Sequence, residues 1–164
     1  MSKRAPLLVL DTNVWLDEGI RWRKRHDDAV ALFEYAQTHD VELAFAMTSV
    51  KDVYYLAADA LKKILLAEGK QVTEEYAQAC NDVAWNMAED MTKVATPIAL
   101  DLTDLWFARK IREIHNDLED NLVIAAAERA NADYIVTSDK ALLANPHVKA
   151  MTAADMLEHF KLFG

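Results

Sequence analysis

Leu7-Leu8-Val9-Leu10-Asp11 decides how the chain is read: four apolar residues run directly into a carboxylate. A run this short and uniformly apolar reads as a strand buried on both faces, the kind found in parallel sheets. Its counterpart is Tyr134-Ile135-Val136-Thr137, β-branched and aromatic, which closes on Ser138-Asp139. Between and beyond them the spacing predicts strands over 41–46, 94–99 and 148–151. Helices are predicted over 27–38, from Thr48 or Ser49 to 67, over 73–91, 103–114 and 118–130, with a short turn over 140–144. Gly69 is expected to end the second of these. Pro97 predicts an edge position for its strand, because proline cannot donate to a ladder. Thr152 to Asp155 resembles a capping box opening a last helix. Strands separated by helices give parallel pairing with helices on both faces, an α/β fold. Leu122 to Ala127 is apolar nearly all round, which predicts a helix packed in the middle of the molecule.

The length, 164 residues, allows one domain over 1–164 and is short for two. Hydrophobic residues make up 52%, which excludes a disordered chain, and three glycines and three prolines argue against an all-β fold rich in tight turns. Cys80 is the lone cysteine, so neither an intrachain disulfide nor a cysteine-based metal site is available. No apolar run approaches the roughly 20 residues of a membrane span. The basic start at Met1 to Arg4 is followed by too short an apolar run for a signal peptide, so a cytoplasmic location is expected. The net charge of −9 excludes nucleic-acid binding through a broad basic face. Any such contact must be local, metal-mediated or assisted, and the excess acid serves either solubility or a working carboxylate cluster.

Ligands of open parallel sheets bind beyond the carboxyl ends of the strands, where Asp11 and Asp139 both fall. Asp52 and Asp120 lie at predicted helix starts, and Asp117 precedes Asp120 by three residues. Carboxylates converging on one edge repel unless a divalent cation neutralises them, and an oxygen-only set suits Mg²⁺ or Mn²⁺ rather than zinc. Each acid also has a local reading. Asp11 before Thr12-Asn13 suits a turn or helix cap, and Asp139 suits a cap on the next turn. Asp52 suits a capping box with Ser49, which periodicity alone favours, and Asp120 suits the helix macrodipole. The argument therefore rests on two strand-ending aspartates in one parallel sheet.

Three anchors in order then resemble the PIN domains: Leu8 to Val14, Asp117 to Ala127, and Ala132 to Leu143. The resemblance runs over nearly the whole chain. It implies a three-layer α/β/α sandwich around a parallel sheet and a metal-dependent ribonuclease, in many bacterial cases a VapC-like toxin held by a small antitoxin. Matched position by position, it implies that Asp11, Asp120 and Asp139 hold Mg²⁺ or Mn²⁺ and that Asn13 and Thr137 support them. The remaining family acid is usually a glutamate on the helix after the second strand. Asp52 stands there, one methylene shorter, to hold metal or orient water. Asp117 is an extra acid for support or for a second metal. PIN-like toxins are commonly dimers, so the resemblance leaves a homodimer open for this chain.

Arg21-Trp22-Arg23-Lys24-Arg25 is the densest basic run, able to pair phosphates while Trp22 stacks on a base, or else to meet an acidic partner. Arg109, Lys110 and Arg112, with Trp106 and Phe107 nearby, form a weaker second cluster suited to RNA, a dimer or an antitoxin. The five histidines show no metal-ligand spacing and read as surface or core residues, with His115, beside Asp117, the exception to watch. A receiver domain would need an acidic pair after its first strand, and an aspartyl phosphatase a second acid where Asn13 stands. The readings left beside a toxin ribonuclease are an RNA-processing nuclease without antitoxin and a PIN-like binding module without catalysis.

Overall fold

A computed structural model describes residues 4–163, so the basic start at Met1 to Lys3 lies outside the described residues. The elements are β1 (Leu7–Leu10), α1 (Thr12–Gly19), α2 (His26–Thr38), β2 (Glu42–Ala46), α3 (Ser49–Ala67), α4 (Glu74–Val94), β3 (Thr96–Ile98), α5 (Leu102–Lys110), α6 (Leu118–Ala130), β4 (Tyr134–Val136), α7 (Lys140–Ala144), β5 (Ala150–Met151) and α8 (Ala153–Phe163). The strands form one parallel sheet in the order β3-β2-β1-β4-β5.

Side-chain alternation divides the core into two layers. Leu8 and Leu10 of β1, Leu43 and Phe45 of β2 and Val136 of β4 pack against α1, α2, α3, α4 and α8. Val9, Ala44, Ala46, Ile98 and Ile135 face α6, α7 and Phe107 of α5. The sheet is thus covered on both sides, as the continuous apolar strands require. Trp15 of α1 fills the first layer, edge-on to Phe33 and Phe45 at centroid distances of 5.0 and 5.7 Å.

Two strand pairs set up the site. In β1 and β4, Leu8, Val9 and Leu10 align with Tyr134, Ile135 and Val136, and the Asp11 amide donates to the Val136 carbonyl at 3.0 Å. The strand order reverses there: β2 and β3 lie on one side of β1, β4 and β5 on the other. Such a reversal opens a crevice at the carboxyl ends of the two central strands. Pro97 sits on β3, an edge strand, as its missing N–H demands. Gly69 takes φ +76° and closes α3, with its own amide on the Leu66 carbonyl and that of Lys70 on Leu65.

The sequence pattern missed α1. Asp11-Thr12-Asn13 suits a turn or a helix cap, and the cap is what forms, on an eight-residue helix outside the predicted elements whose stability comes from burying Val14, Trp15 and Leu16. The strand predicted over 94–99 shrinks to three residues, because α4 runs on to Val94. The helix expected to reach residue 114 stops at Lys110 and unwinds into turns.

Candidate active site

Asp11 is the first residue beyond β1, and its extended backbone (φ −73°, ψ 157°) makes it the N-cap of α1. It is 6% exposed. One carboxylate oxygen, Oδ1, accepts from the Thr12 amide at 2.7 Å. The other, Oδ2, accepts from Asn13 Nδ2 at 2.6 Å and Thr137 Oγ1 at 2.7 Å. Asn13 Oδ1 in turn accepts from the Ser138 amide at 2.9 Å, and Thr137 Oγ1 from the Asp139 amide at 3.0 Å. Asn13 and Thr137 therefore stitch the end of β1 to the end of β4 and fix the backbone that carries both aspartates.

Asp139 uses Oδ1 to cap α7, accepting from the Ala141 and Leu142 amides at 2.7 and 3.0 Å. The cap and the site position are one residue, and the local reading and the functional one coexist. Asp52 is different. Thr48, not Ser49, caps α3, without a side-chain bond, and the Ser49–Asp52 capping box expected from periodicity does not form. Asp52 instead meets Lys51 Nζ at 3.1 Å and faces the crevice. Asp120, in the first turn of α6, meets His115 Nε2 at 2.7 Å. Asp117 caps that helix by accepting from the Asp120 amide at 3.1 Å; it lines a neighbouring groove rather than the crevice.

All four sequence-predicted acids, Asp11, Asp52, Asp120 and Asp139, line one cleft of about 180 Å³. Glu119 joins them, with Thr12, Asn13, Thr48 and Ser49 as polar wall and Leu16, Leu56 and Val123 as apolar wall. Glu119 was legible only as part of an acid-rich first turn. His115 sits five residues before Asp120, a spacing no regular element would have flagged.

Burial pushes the Asp11 carboxyl up from its ordinary value, against the hydrogen bonds from Thr137, Thr12 and Asn13, and the nearby charge of Asp139 adds to the rise. Asp120 is raised too, first by burial, then by Asp11, Asp117 and Asp139, against its bond to His115. Mutual repulsion of this kind is what a bound cation relieves. The donors are all carboxylate oxygens, which fits a hard divalent ion such as Mg²⁺ or Mn²⁺. Among the described residues no three His, Cys, Asp or Glu side chains are gathered closely enough to form a metal cluster as they stand.

The basic run divides in two. Arg23 Nε pairs with the buried Asp17 at 2.6 Å, and Arg25 donates to the Ser138 carbonyl at 3.2 Å. Those two cations brace the α1–α2 loop against the core and against the segment bearing Asp139. Arg21, Trp22 and Lys24 remain exposed, Trp22 at 68%. Among the described residues no helix is long and apolar enough to cross a membrane.

Comparison with solved structures finds the same architecture in VapBC2 from Rickettsia felis, bound to a DNA fragment from its promoter, with TM-score 0.61, 12% identity and coverage of 89% of this chain and 98% of that one. VapC20 of Mycobacterium tuberculosis, a sarcin-ricin-loop-cleaving toxin, matches with TM-score 0.58 and 12% identity over 80% of this chain and 89% of that one. A toxin–antitoxin complex from Klebsiella pneumoniae gives TM-score 0.56 and 14% identity over 89% and 97%. A search of the curated proteins found no match. These likenesses speak for the fold. A family model for the PIN domain also matches residues 7–141, from β1 past Asp139, and so spans every acid of the cleft. With its aspartates at the switch point of a parallel sheet, the chain belongs to the PIN domain family.

Proposed function

We propose that this PIN domain is a divalent-metal-dependent endoribonuclease and the toxin of a toxin–antitoxin pair. The observation that carries the reading is the convergence of Asp11, Asp52, Asp120 and Asp139 on one small cleft at the β1–β4 switch point. Family membership and the toxin neighbours support it.

Asp11, Asp120 and Asp139 would hold Mg²⁺ or Mn²⁺, with Asp52 as a further ligand or water-orienting group. When bound, such an ion supplies Lewis acidity toward phosphate oxygens and toward water. The chain supplies position. The Thr12 amide, Asn13 and Thr137 hold both oxygens of Asp11, the α7 amides hold Oδ1 of Asp139, and His115 holds Oδ2 of Asp120. Tyr55 of α3 and Trp85 of α4 stand exposed, joined edge-on through Tyr54, large apolar side chains of the kind a partner chain such as an antitoxin covers.

The test is cleavage of total RNA by purified protein with Mg²⁺ or Mn²⁺, with chelator, and by Asp11→Asn. Cleavage should need the ion and vanish with the substitution. Undiminished cleavage by Asp11→Asn would overturn the carboxylate mechanism; metal-supported binding without cleavage by the parent would favour a binding module.

A further inference from the structure

His115 lies in the segment between α5 and α6, and among the described residues it is the one histidine whose ring bonds to a carboxylate of the acid cleft. Its Nε2 stands 2.7 Å from Asp120 Oδ2, with the two side chains 11% and 19% exposed. The backbone beneath the ring is fixed from both helices. The His115 amide donates to the Ile111 carbonyl, at the end of α5, at 3.0 Å. The His115 carbonyl accepts at 2.7 Å from Nδ2 of Asn121, which also donates to the Ala108 carbonyl of α5 at 3.3 Å. Asn121 follows Asp120 in α6 and is buried. Two neighbouring residues of α6 therefore grip His115, one by its backbone and one by its ring. Asp120 is a side chain that needs such a hold. Asp11, Asp117 and Asp139 repel its charge. A carboxylate so placed, with two free torsions, turns toward water unless one oxygen is tied.

We propose that His115 is a positioning residue of the metal site: its Nε2–H ties the Asp120 carboxylate in the cleft and so sets the affinity for the divalent ion. The role rests on the metal-dependent reading above and deepens it. His115 is not itself part of the cleft lining, and its Nε2 is committed, so it acts on the chemistry only through Asp120. A carboxylate oriented before the ion arrives binds it more tightly, and loss of such an outer partner costs about 10–100-fold in affinity or activity. The bond needs an N–H at the Nε2 position. A glutamine amide supplies one there, whereas an asparagine amide, one methylene shorter, falls short of Asp120. Bracing of the α5–α6 segment, by contrast, uses only the amide and carbonyl of residue 115, which every substitution but proline retains.

The experiment titrates Mn²⁺ into the full chain without RNA, following the electron paramagnetic resonance signal of the free ion. Parent, His115→Gln, His115→Asn and His115→Phe are compared, with thermal melts in chelator to confirm folding. His115→Asn and His115→Phe should weaken Mn²⁺ binding by about tenfold or more, while His115→Gln stays within about threefold of the parent. If the phenylalanine variant fails to fold, the glutamine–asparagine pair decides, since both are polar amides and differ in reach. RNA cleavage by His115→Asn should fall at low Mn²⁺ and recover as the ion is raised, because the ring meets Asp120 and not the substrate. Equal Mn²⁺ affinity in all four proteins, or equal loss in the glutamine and asparagine variants, overturns the proposal. So does a loss of cleavage that no Mn²⁺ concentration restores, which would place His115 in the reaction itself. The two readings fail separately. Cleavage by the parent with Mn²⁺ affinity independent of residue 115 counts against His115 alone. Mn²⁺ binding that follows residue 115 as expected, without cleavage by the parent, counts against the nuclease and leaves His115 its role. A parent that binds no Mn²⁺ overturns both.

Discussion

Thr137 shows how one small side chain can hold a site together. Its hydroxyl donates to Asp11 and accepts from the Asp139 amide, while buried at 1% exposure. Thr137→Val keeps the shape and removes both bonds along with the 3.3 Å bond that the hydroxyl accepts from Asn13 Nδ2, leaving a buried carboxylate oxygen and an amide short of a partner. A loss of about 1–3 kcal/mol in urea unfolding is expected, together with a clear drop in cleavage, because Asp11 loses a support on the side of β4. Asp52 poses a different residue-scale question, because it faces the cleft while taking no part in capping α3. Asp52→Asn should cut kcat for metal-supported cleavage at least tenfold while leaving the melting temperature close to the parent's, since the expected capping box does not exist to be lost. A large drop in melting temperature would return Asp52 to a structural role.

At the scale of elements, two helix junctions depend on particular chemistry. Gly69 holds φ +76° with nothing within 4 Å of where a Cβ would stand, so Gly69→Ala is opposed by backbone strain alone. The cost should be about 1–2 kcal/mol by chemical denaturation. The second junction ties α5 to α6: Arg129 reaches Asp104 at 2.6 Å and Asp101 at 2.9 Å. Bonds from Thr103 and Arg129 hold the Asp101 carboxyl at about 2, and Arg129 also lowers Asp104. A carboxyl depressed in the folded state stabilises above its unfolded value, about 3.9, and that contribution is lost as pH falls through the folded value. The protection of α5 amides, corrected for the intrinsic pH dependence of exchange, should therefore fall between about pH 4 and pH 2, earlier than in β1. Arg129→Met should remove this acid step; an unchanged profile would dissociate the step from the clamp.

The whole molecule is acidic, so its approach to RNA depends on where the few cations are free. The basic loop looks uniform in sequence, but Arg23 and Arg25 are committed to Asp17 and Ser138, while Arg21 and Lys24 point to solvent. Arg21→Ser with Lys24→Ser should lower the slope of log K against log salt by about 1.4 for single-stranded RNA, two phosphate contacts at about 0.7 each. Arg23→Ser with Arg25→Ser should instead lower the melting temperature. A salt series on the Asp11→Asn background with parallel melts separates the two pairs. Identical slopes for Arg21→Ser/Lys24→Ser and its parent would remove RNA from the account of this loop.

The parallel α/β fold and the two strand-ending aspartates, Asp11 and Asp139, were legible in the sequence because they depend on local signals, whereas Asp52 and Asp120 were singled out through the resemblance to the PIN domains. Short apolar runs can only be buried strands here, and carboxylates that end such strands must collect at one edge of the sheet. Pro97 on an edge and Gly69 at a helix end were legible for the same reason, since a missing N–H and a positive φ are properties of single residues. Tertiary structure decided everything that depends on which partner a side chain finds. It made α1 a helix by burying Trp15 against Phe33 and Phe45, where the local pattern left a turn and a helix cap equally open. It left the Asp52–Ser49 cap unformed and divided four similar cations into two braces and two exposed charges. It brought His115 to Asp120 and left the Asn121 oxygen buried without a partner. Periodicity records which residues prefer to be buried; packing alone determines what each buried group meets there.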